Sequence, residues 1–266
     1  MLSNLHTHTT FCDGRDTAEA VVLSAIDKGF CSLGFSGHAP TVPPCSCDIK
    51  DLAGYKAEIL RLREKYKKDI EIYLGIEEDA VTPVNRSDFD YIIGSNHFYI
   101  IGGKFVSVDS TPENFKRCLE LFGGNPLALA ENYFEGFCRY IKARRPDIIG
   151  HFDLLTKFDE NENSVFLANP AYHALAEKYL RQALSADCMF EVNTGAISRG
   201  WRTAPYPHEK LLHVMKKEGA RLVLNADSHA ADTIDCHFAE SKALLRDIGF
   251  NYTYILYGGE FIKDYL

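Results

Sequence analysis

An α/β fold built on a parallel sheet or barrel is the architecture this sequence predicts, and three observations predict it. Short apolar runs alternate with longer segments of helical period, the pattern of repeated strand–helix units. Those runs end repeatedly in histidine or carboxylate, where a parallel α/β barrel places its functional groups. The chain has 266 residues, 46% of them hydrophobic, which is enough for a large core. Nothing between the ligand-bearing segments reads as a linker, so one domain over residues 1–266 is expected.

The first run leads into His6-Thr7-His8. A helix follows: Asp16-x-x-Glu19 reads as a capping box, Ala18, Val21, Val22, Ala25 and Ile26 share one face, and Gly29 can end it. Cys31 to Ser36 is the second strand, with His38 just beyond. Leu52, Tyr55, Ile59, Leu62 and Tyr66 set the rhythm of the next helix. Glu71 to Ile76 supplies a third strand ahead of Glu77, and Asp90 to Gly94 a fourth ahead of His97. Phe98 to Ile101 and Lys104 to Val108 read as a rim hairpin, because Gly102-Gly103 permits the positive φ of a two-residue turn.

Two helices fill Pro112 to Arg145, and a fifth strand from Asp147 to Gly150 delivers His151. Asn169-Pro170 starts a further helix with a capping residue and proline at the first helical position. Cys188 to Asn193 is a sixth strand, followed by a polar loop, Asn193-Thr194-Gly195 and Arg199, able to hold an anion. Arg221 to Leu224 is a seventh, ahead of Asp227-Ser228-His229. A helix from Asp232 to Ile248 and an apolar run from Tyr252 to Tyr257 close the chain.

The net charge of −8 and a pI of 5.7 give a phosphate-rich polymer a repulsive average field. No segment approaches the ~20 apolar residues of a membrane span, and no signal-like stretch precedes His6, so a cytoplasmic protein is expected. Its eight cysteines are irregularly spaced, which favours reduced thiols. Cys45-Ser46-Cys47 is tighter than a structural-zinc pair. P-loop, dinucleotide and nucleophile-elbow motifs are absent, which removes support for ATP, hydride and serine chemistry.

The alternating His6-x-His8 projects two imidazoles to one side of an extended segment, and imidazole with carboxylate suits zinc, manganese or iron. His38, His97, His151 and His229 bring the histidines to six, and Glu77 and Asp227 add carboxylates. One zinc takes four ligands in a structural site and three plus water in a catalytic one, so at least two metals are needed to use them all and three are natural. Such a site can clamp the attacking and leaving oxygens of a phosphate ester, and hydrolysis is the expected reaction.

In order along the chain, His6-Thr-His8-Thr…Asp13-Gly, Gly37-His38-Ala, Gly75-Ile-Glu77, Gly94-Ser-x-His97, Gly150-His-Phe-Asp153 and Asp227-Ser-His229 resemble the polymerase and histidinol phosphatase (PHP) superfamily. Glu191-Val-Asn-Thr-Gly195 with Arg199 is similar to its histidinol-phosphatase branch. The resemblance implies a distorted (β/α)₇ barrel, in which the final run is the odd member. It implies one metal on His6, His8, Glu77 and Asp227, and a second on Glu77, His97 and His151. His38, His229 and Asp13 would hold a third. Gly37 and Asn96 depart from the family's acidic and small apolar residues at those positions.

The implied activity is metal-dependent hydrolysis of L-histidinol phosphate with two to three divalent zinc, manganese or iron ions. Glu77, Asp227, His229 and Arg199 would form the catalytic group. Arg199 or Arg202 would clamp the phosphate, Trp201 would wall the pocket, and Asp153 and Glu131 are candidates for recognising the rest of the substrate. The expected partner is a small phosphate ester, without nucleic acid or membrane. Rival readings are a nucleotide or phosphotyrosine phosphatase, a 3′–5′ exonuclease, and a metal-binding regulatory protein without turnover.

Overall fold

Eleven strands and eight α-helices are present in the computed structural model, which describes residues 1–101, 104–160 and 164–266. The strands are β1 (Ser3–Asn4), β2 (Ser32–Phe35), β3 (Glu71–Asp79), β4 (Tyr91–Ser95), β5 (Phe98–Ile101), β6 (Lys104–Ser107), β7 (Ile148–Ile149), β8 (Met189–Asn193), β9 (Leu222–Asn225), β10 (Tyr252–Tyr257) and β11 (Glu260–Tyr265). The helices are α1 (Ala18–Asp27), α2 (Leu52–Tyr66), α3 (Pro112–Leu121), α4 (Pro126–Arg144), α5 (Pro170–Leu184), α6 (Gly195–Ser198), α7 (Glu209–Lys217) and α8 (Phe238–Ile248).

Nine strands make one curled half-barrel sheet in the order β1-β2-β3-β4-β7-β8-β9-β10-β11. All neighbours through β10 are parallel, and β11 returns antiparallel to β10. A parallel bridge between Thr7 and Ser228 draws the segments that follow β1 and β9 together at the C-terminal ends of the strands. Asn225 reinforces that seam, its Oδ1 accepting from Leu5 N at 2.8 Å. The final run is the odd member, since β10 meets β9 through one register pair, Tyr254 with Val223.

Strand periodicity decides what faces where. On β3, Ile72, Leu74 and Ile76 pack into the helix-side core, whereas Tyr73 faces the interior of the curl. On β8, Phe190 and Val192 face the helices and Met189 faces inward. Leu5, Tyr73, Tyr91, Ile93, Ile148, Met189, Val223 and Leu256 form a separate apolar cluster there. Glycine makes room for it: a Cβ on Gly75 would lie 2.2 Å from the Tyr91 ring. The Tyr91 hydroxyl donates to the Leu5 carbonyl.

Three expectations change. Thr17, not Asp16, caps α1 by accepting from Ala20 N, while the Asp16 carboxylate accepts from Ala231 N. The last helix starts at Phe238, because Ala231–Thr233 forms a 3₁₀ turn and His237 takes a left-handed φ of 57°. Strand β3 runs on through Glu77 to Asp79 rather than stopping at Ile76. The rim hairpin pairs in register from Phe98–Ser107 inward, and its Gly102-Gly103 turn lies outside the described residues. Sequence reading did not anticipate β11, a mostly polar edge strand.

Candidate metal centre

The interior residues that follow the apolar cluster toward the strands' C-terminal ends are polar, and many are titratable. His6 and His8 follow β1, His38 follows β2, Glu77 stands on β3, His97 and His151 follow β4 and β7, and Asp227 and His229 follow β9. Glu77, 1% exposed, is the hub. Its Oε2 faces His38 Nδ1 at 2.9 Å, His6 Nε2 at 3.3 Å and His8 Nε2 at 3.6 Å. Its Oε1 faces His151 Nε2 at 3.1 Å and His97 Nε2 at 3.3 Å.

Asp227 Oδ1 lies 3.2 Å from His8 Nε2 and 3.7 Å from His6 Nε2. Asp13 is 3.4 Å from His229 Nε2, 3.6 Å from His38 Nε2 and 3.6 Å from His8 Nδ1. Three overlapping groups therefore have ligand atoms within 4.8 Å of one another: His6, His8 and Glu77; His38, Glu77 and His97; and His8, Asp13, His38 and His229. His6 Nε2, His8 Nε2 and Glu77 Oε2 are buried without a hydrogen-bond partner. Buried polar groups ordinarily find one, so converging orphans of this chemistry fit one or more divalent cations.

The charged and imidazole groups of the cluster act strongly on one another. Burial would lower the His6 pKa, but Glu191, Glu77 and Asp227 more than offset it and hold it well above the usual value. His97 is likewise raised to about 10 against burial, by Glu77 and Asp79. His8 is lowered to about 3, by burial and by its neighbours His229 and His38. Burial would raise the Glu77 carboxyl, but His6, His97 and His38 hold it well below the carboxylate range.

The ligand candidates are themselves held. Glu191, fully buried on β8, accepts from His6 Nδ1 at 2.7 Å, from His151 N at 3.0 Å, and from the Asn193 and Asn225 amides at 2.8 and 2.9 Å. Asp79 accepts from both His97 N and His97 Nδ1, at 2.9 and 3.0 Å. Such carboxylate–imidazole contacts fix tautomer and ring orientation. Neither residue was given a role from sequence. Their signal was period two: Glu191 and Asn193 alternate with Phe190 and Val192, and Asp79 shares a face with Glu77.

Arg199 enters the cavity from the end of α6. Its guanidinium donates to Asp227 O at 2.9 Å and Asp227 Oδ2 at 3.1 Å, with His229 Nδ1 3.0 Å away. Gly195 is required beneath it, because a Cβ there would sit 2.8 Å from Asp227 and 2.9 Å from Arg199 Nη2. Asp227 itself takes a left-handed φ of 46°, a conformation that Asp tolerates and that costs about 1–2 kcal/mol. The Thr7–Ser228 bridge and the Arg199 bonds pin it.

Other expectations are redirected. Arg202 is buried away from the cavity, donating to Thr156 Oγ1 at 2.6 Å and Glu160 at 3.3 Å over the Tyr206 ring, so it ties loops together. Trp201 is 43% exposed, edge-on to Phe158, and does not wall the cavity. Glu131 is an exposed partner of Lys178, and Asp153 is buried, accepting from His208 N. Lys157 and Asp109, paired at 3.2 Å, line the cavity unforeseen. Gly37 needs no acidic side chain, since His38 is held by Glu77 and a Cβ on Gly37 would meet Cys12 Sγ at 3.0 Å. Asn96 donates to the Tyr133 carbonyl at 3.3 Å.

A curled parallel α/β sheet with this cluster at its C-terminal end defines a metal-binding hydrolase. The PHP domain model matches residues 4–195, and the chain belongs to the PHP domain family. It is 30% identical to a probable histidinol-phosphatase of Schizosaccharomyces pombe, over 92% of this chain and 86% of the relative. It is 26% identical to the histidinol-phosphatase of Bacillus subtilis, over 86% and 94%. Among solved structures, histidinol phosphate phosphatase from Lactococcus lactis, complexed with zinc, L-histidinol and phosphate, shares the fold. That match has a TM-score of 0.72 and 21% identity, and covers 98% of each chain.

Proposed function

We propose that this chain hydrolyses L-histidinol phosphate to L-histidinol and inorganic phosphate, using two to three divalent ions of the zinc, manganese or iron kind. The observation that carries the chemistry is the division of Glu77: one carboxylate oxygen faces His6, His8 and His38, and the other faces His97 and His151. A carboxylate so placed suits a bridge between two ions. The substrate follows from the relatives' activity.

In this reading His6, His8, Glu77 and Asp227 hold one ion, Glu77, His97 and His151 a second, and His38, His229 and Asp13 a third. Bound ions supply Lewis-acid polarisation of the phosphoryl group and activation of water at neutral pH. The rest falls to the chain. Glu191 and Asp79 keep the His6 and His97 rings in one tautomer and orientation. Arg199, always charged, offers its remaining N–H donors to phosphate oxygens. A cavity of about 1190 Å³ takes a small phosphate ester comfortably. No helix among the described residues is long and apolar enough to cross a membrane.

The test is kcat/KM for L-histidinol phosphate beside p-nitrophenyl phosphate and a nucleoside monophosphate, with the protein loaded in turn with zinc, manganese and iron. Histidinol phosphate should be clearly preferred. Equal rates on all three would remove the substrate assignment and leave a general phosphomonoesterase.

A further inference from the structure

The loop between β2 and α2 carries chemistry that the proposed hydrolysis does not use. Pro43, Pro44, Cys45, Ser46 and Cys47 line the same cavity as His38 and Asp13. The sulfurs of Cys45 and Cys47 lie 2.8 Å apart, and both cysteines are partly exposed free thiols. A carboxylate oxygen of Asp48 lies within 4.8 Å of both sulfurs.

Asp48 is the residue that makes this more than two neighbouring thiols. It is 3% exposed, yet only one of its oxygens is occupied: Oδ2 accepts from Thr41 N at 2.9 Å, Thr41 Oγ1 at 2.8 Å and Cys45 N at 2.8 Å. Oδ1 is buried with no partner. A buried carboxylate with one oxygen unpaired, on a residue grouped with two thiols, is costly unless a cation completes it. The loop is also preshaped, with Ile49 N bonded to His38 O at 2.9 Å and Lys50 Nζ to Cys45 O at 2.5 Å.

We propose that Cys45, Cys47 and Asp48 form an accessory site for a thiophilic divalent ion of the zinc class, set in the wall of the cavity that holds the histidine cluster. Two thiolates and a carboxylate give three ligands, which leaves the fourth tetrahedral position open and the ion exchangeable. Thiolate softness separates this site from the imidazole–carboxylate cluster beside it, which accepts harder ions. Binding releases the thiol protons and forms metal–sulfur bonds, with no change of oxidation state. An ion here adds positive charge to a cavity wall that an anionic substrate must pass.

Cadmium is the probe, because its bonds to thiolate absorb in the ultraviolet and its bonds to imidazole and carboxylate do not produce that band. The reduced full-length protein, preloaded with manganese, is titrated with cadmium. The band should rise and saturate at one equivalent, survive in Cys12→Ser, and vanish in Cys45→Ser/Cys47→Ser and in Cys47→Ser alone. Asp48→Asn should weaken cadmium binding roughly tenfold. Should Asp48→Asn fail to fold, the cysteine variants carry the test by themselves. Melting temperature and manganese-supported turnover of the cysteine variants should match the parent. Absence of the band at one equivalent, or its persistence in the double serine variant, overturns the proposal. So does a pair that mild oxidant closes to a disulfide but that takes no cadmium after reduction.

Discussion

The two ends of the sheet's interior are built by the same strands from opposite kinds of residue. At the N-terminal end Tyr73 of β3, Ile93 of β4, Met189 of β8 and Val223 of β9 pack together. Two to four residues further along those strands or just past them stand Glu77, His97, Glu191 and Asp227, all buried. The first end is satisfied by apolar packing and by hydrogen bonds of its two tyrosine hydroxyls. At the second, buried carboxylates and imidazoles crowd against one another, and several polar atoms, His6 Nε2, His8 Nε2 and Glu77 Oε2 among them, have no hydrogen bond. One interior can therefore concentrate stability at its floor and incompletely satisfied chemistry at its rim, because a period-two strand keeps both on one face.

Substitutions at the two ends should separate these roles, and the largest effect belongs to the hub. Glu77→Gln keeps the shape but removes the charge shared between two imidazole groups, so turnover should fall by more than about a hundredfold, with ions lost from both groups together. Elemental analysis beside phosphate release checks it, and loss of a single ion with activity intact would break the comparison. Glu191→Gln leaves every proposed ligand in place but weakens the hold on His6 and His151 N. A fall of about 10- to 100-fold in metal affinity or kcat/KM is expected, measured by competition with a chelating dye.

Arg199→Ala should cost about 1.5–3 kcal/mol in kcat/KM, by a similar factor for every phosphomonoester. Its metal content should hold, which separates an anion contact from a ligand-positioning role. At the floor, Ile93→Val should lower unfolding stability by about 0.5–1.5 kcal/mol and leave turnover and metal content alone. Denaturant melts and kinetics on one preparation decide that point. A floor substitution that alters chemistry as strongly as a rim substitution would erase the distinction.

The rim was legible in sequence wherever a ligand follows an apolar run, because such a run must be a strand and a strand's end must be the rim. His6, His8, His38, His97, His151 and His229 all follow that logic. Glu191 and Asp79 escaped it, since a carboxylate inside a strand reads as a solvent-facing position until the interior is known to be polar at that depth. Arg199, Trp201 and Arg202 share one short loop, yet only Arg199 points into the cavity. Side-chain direction after Gly200, with its φ of 73°, depends on packing that spacing does not encode. The α1 cap and the α8 start failed for a local reason: Asp16 and Asp232 are each good caps by type, but Asp16 bonds to the distant Ala231 N and Asp232 stands in a 3₁₀ turn.

The central claim is that the rim acts through metal while the floor holds the fold. Prolonged chelation at mildly acidic pH should strip the ions, because raised imidazole pKa values at His6, His38 and His97 favour the proton over the metal as pH falls. The sign is fixed: metal uptake displaces those protons, so affinity rises with pH. The decisive measurement is phosphate release from L-histidinol phosphate, with elemental analysis and a melting curve on the same sample, before chelation, after it, and after zinc, manganese or iron is restored. Activity should vanish with the ions and return with them while the chain stays folded. Full turnover by protein shown to hold no transition metal would contradict the account.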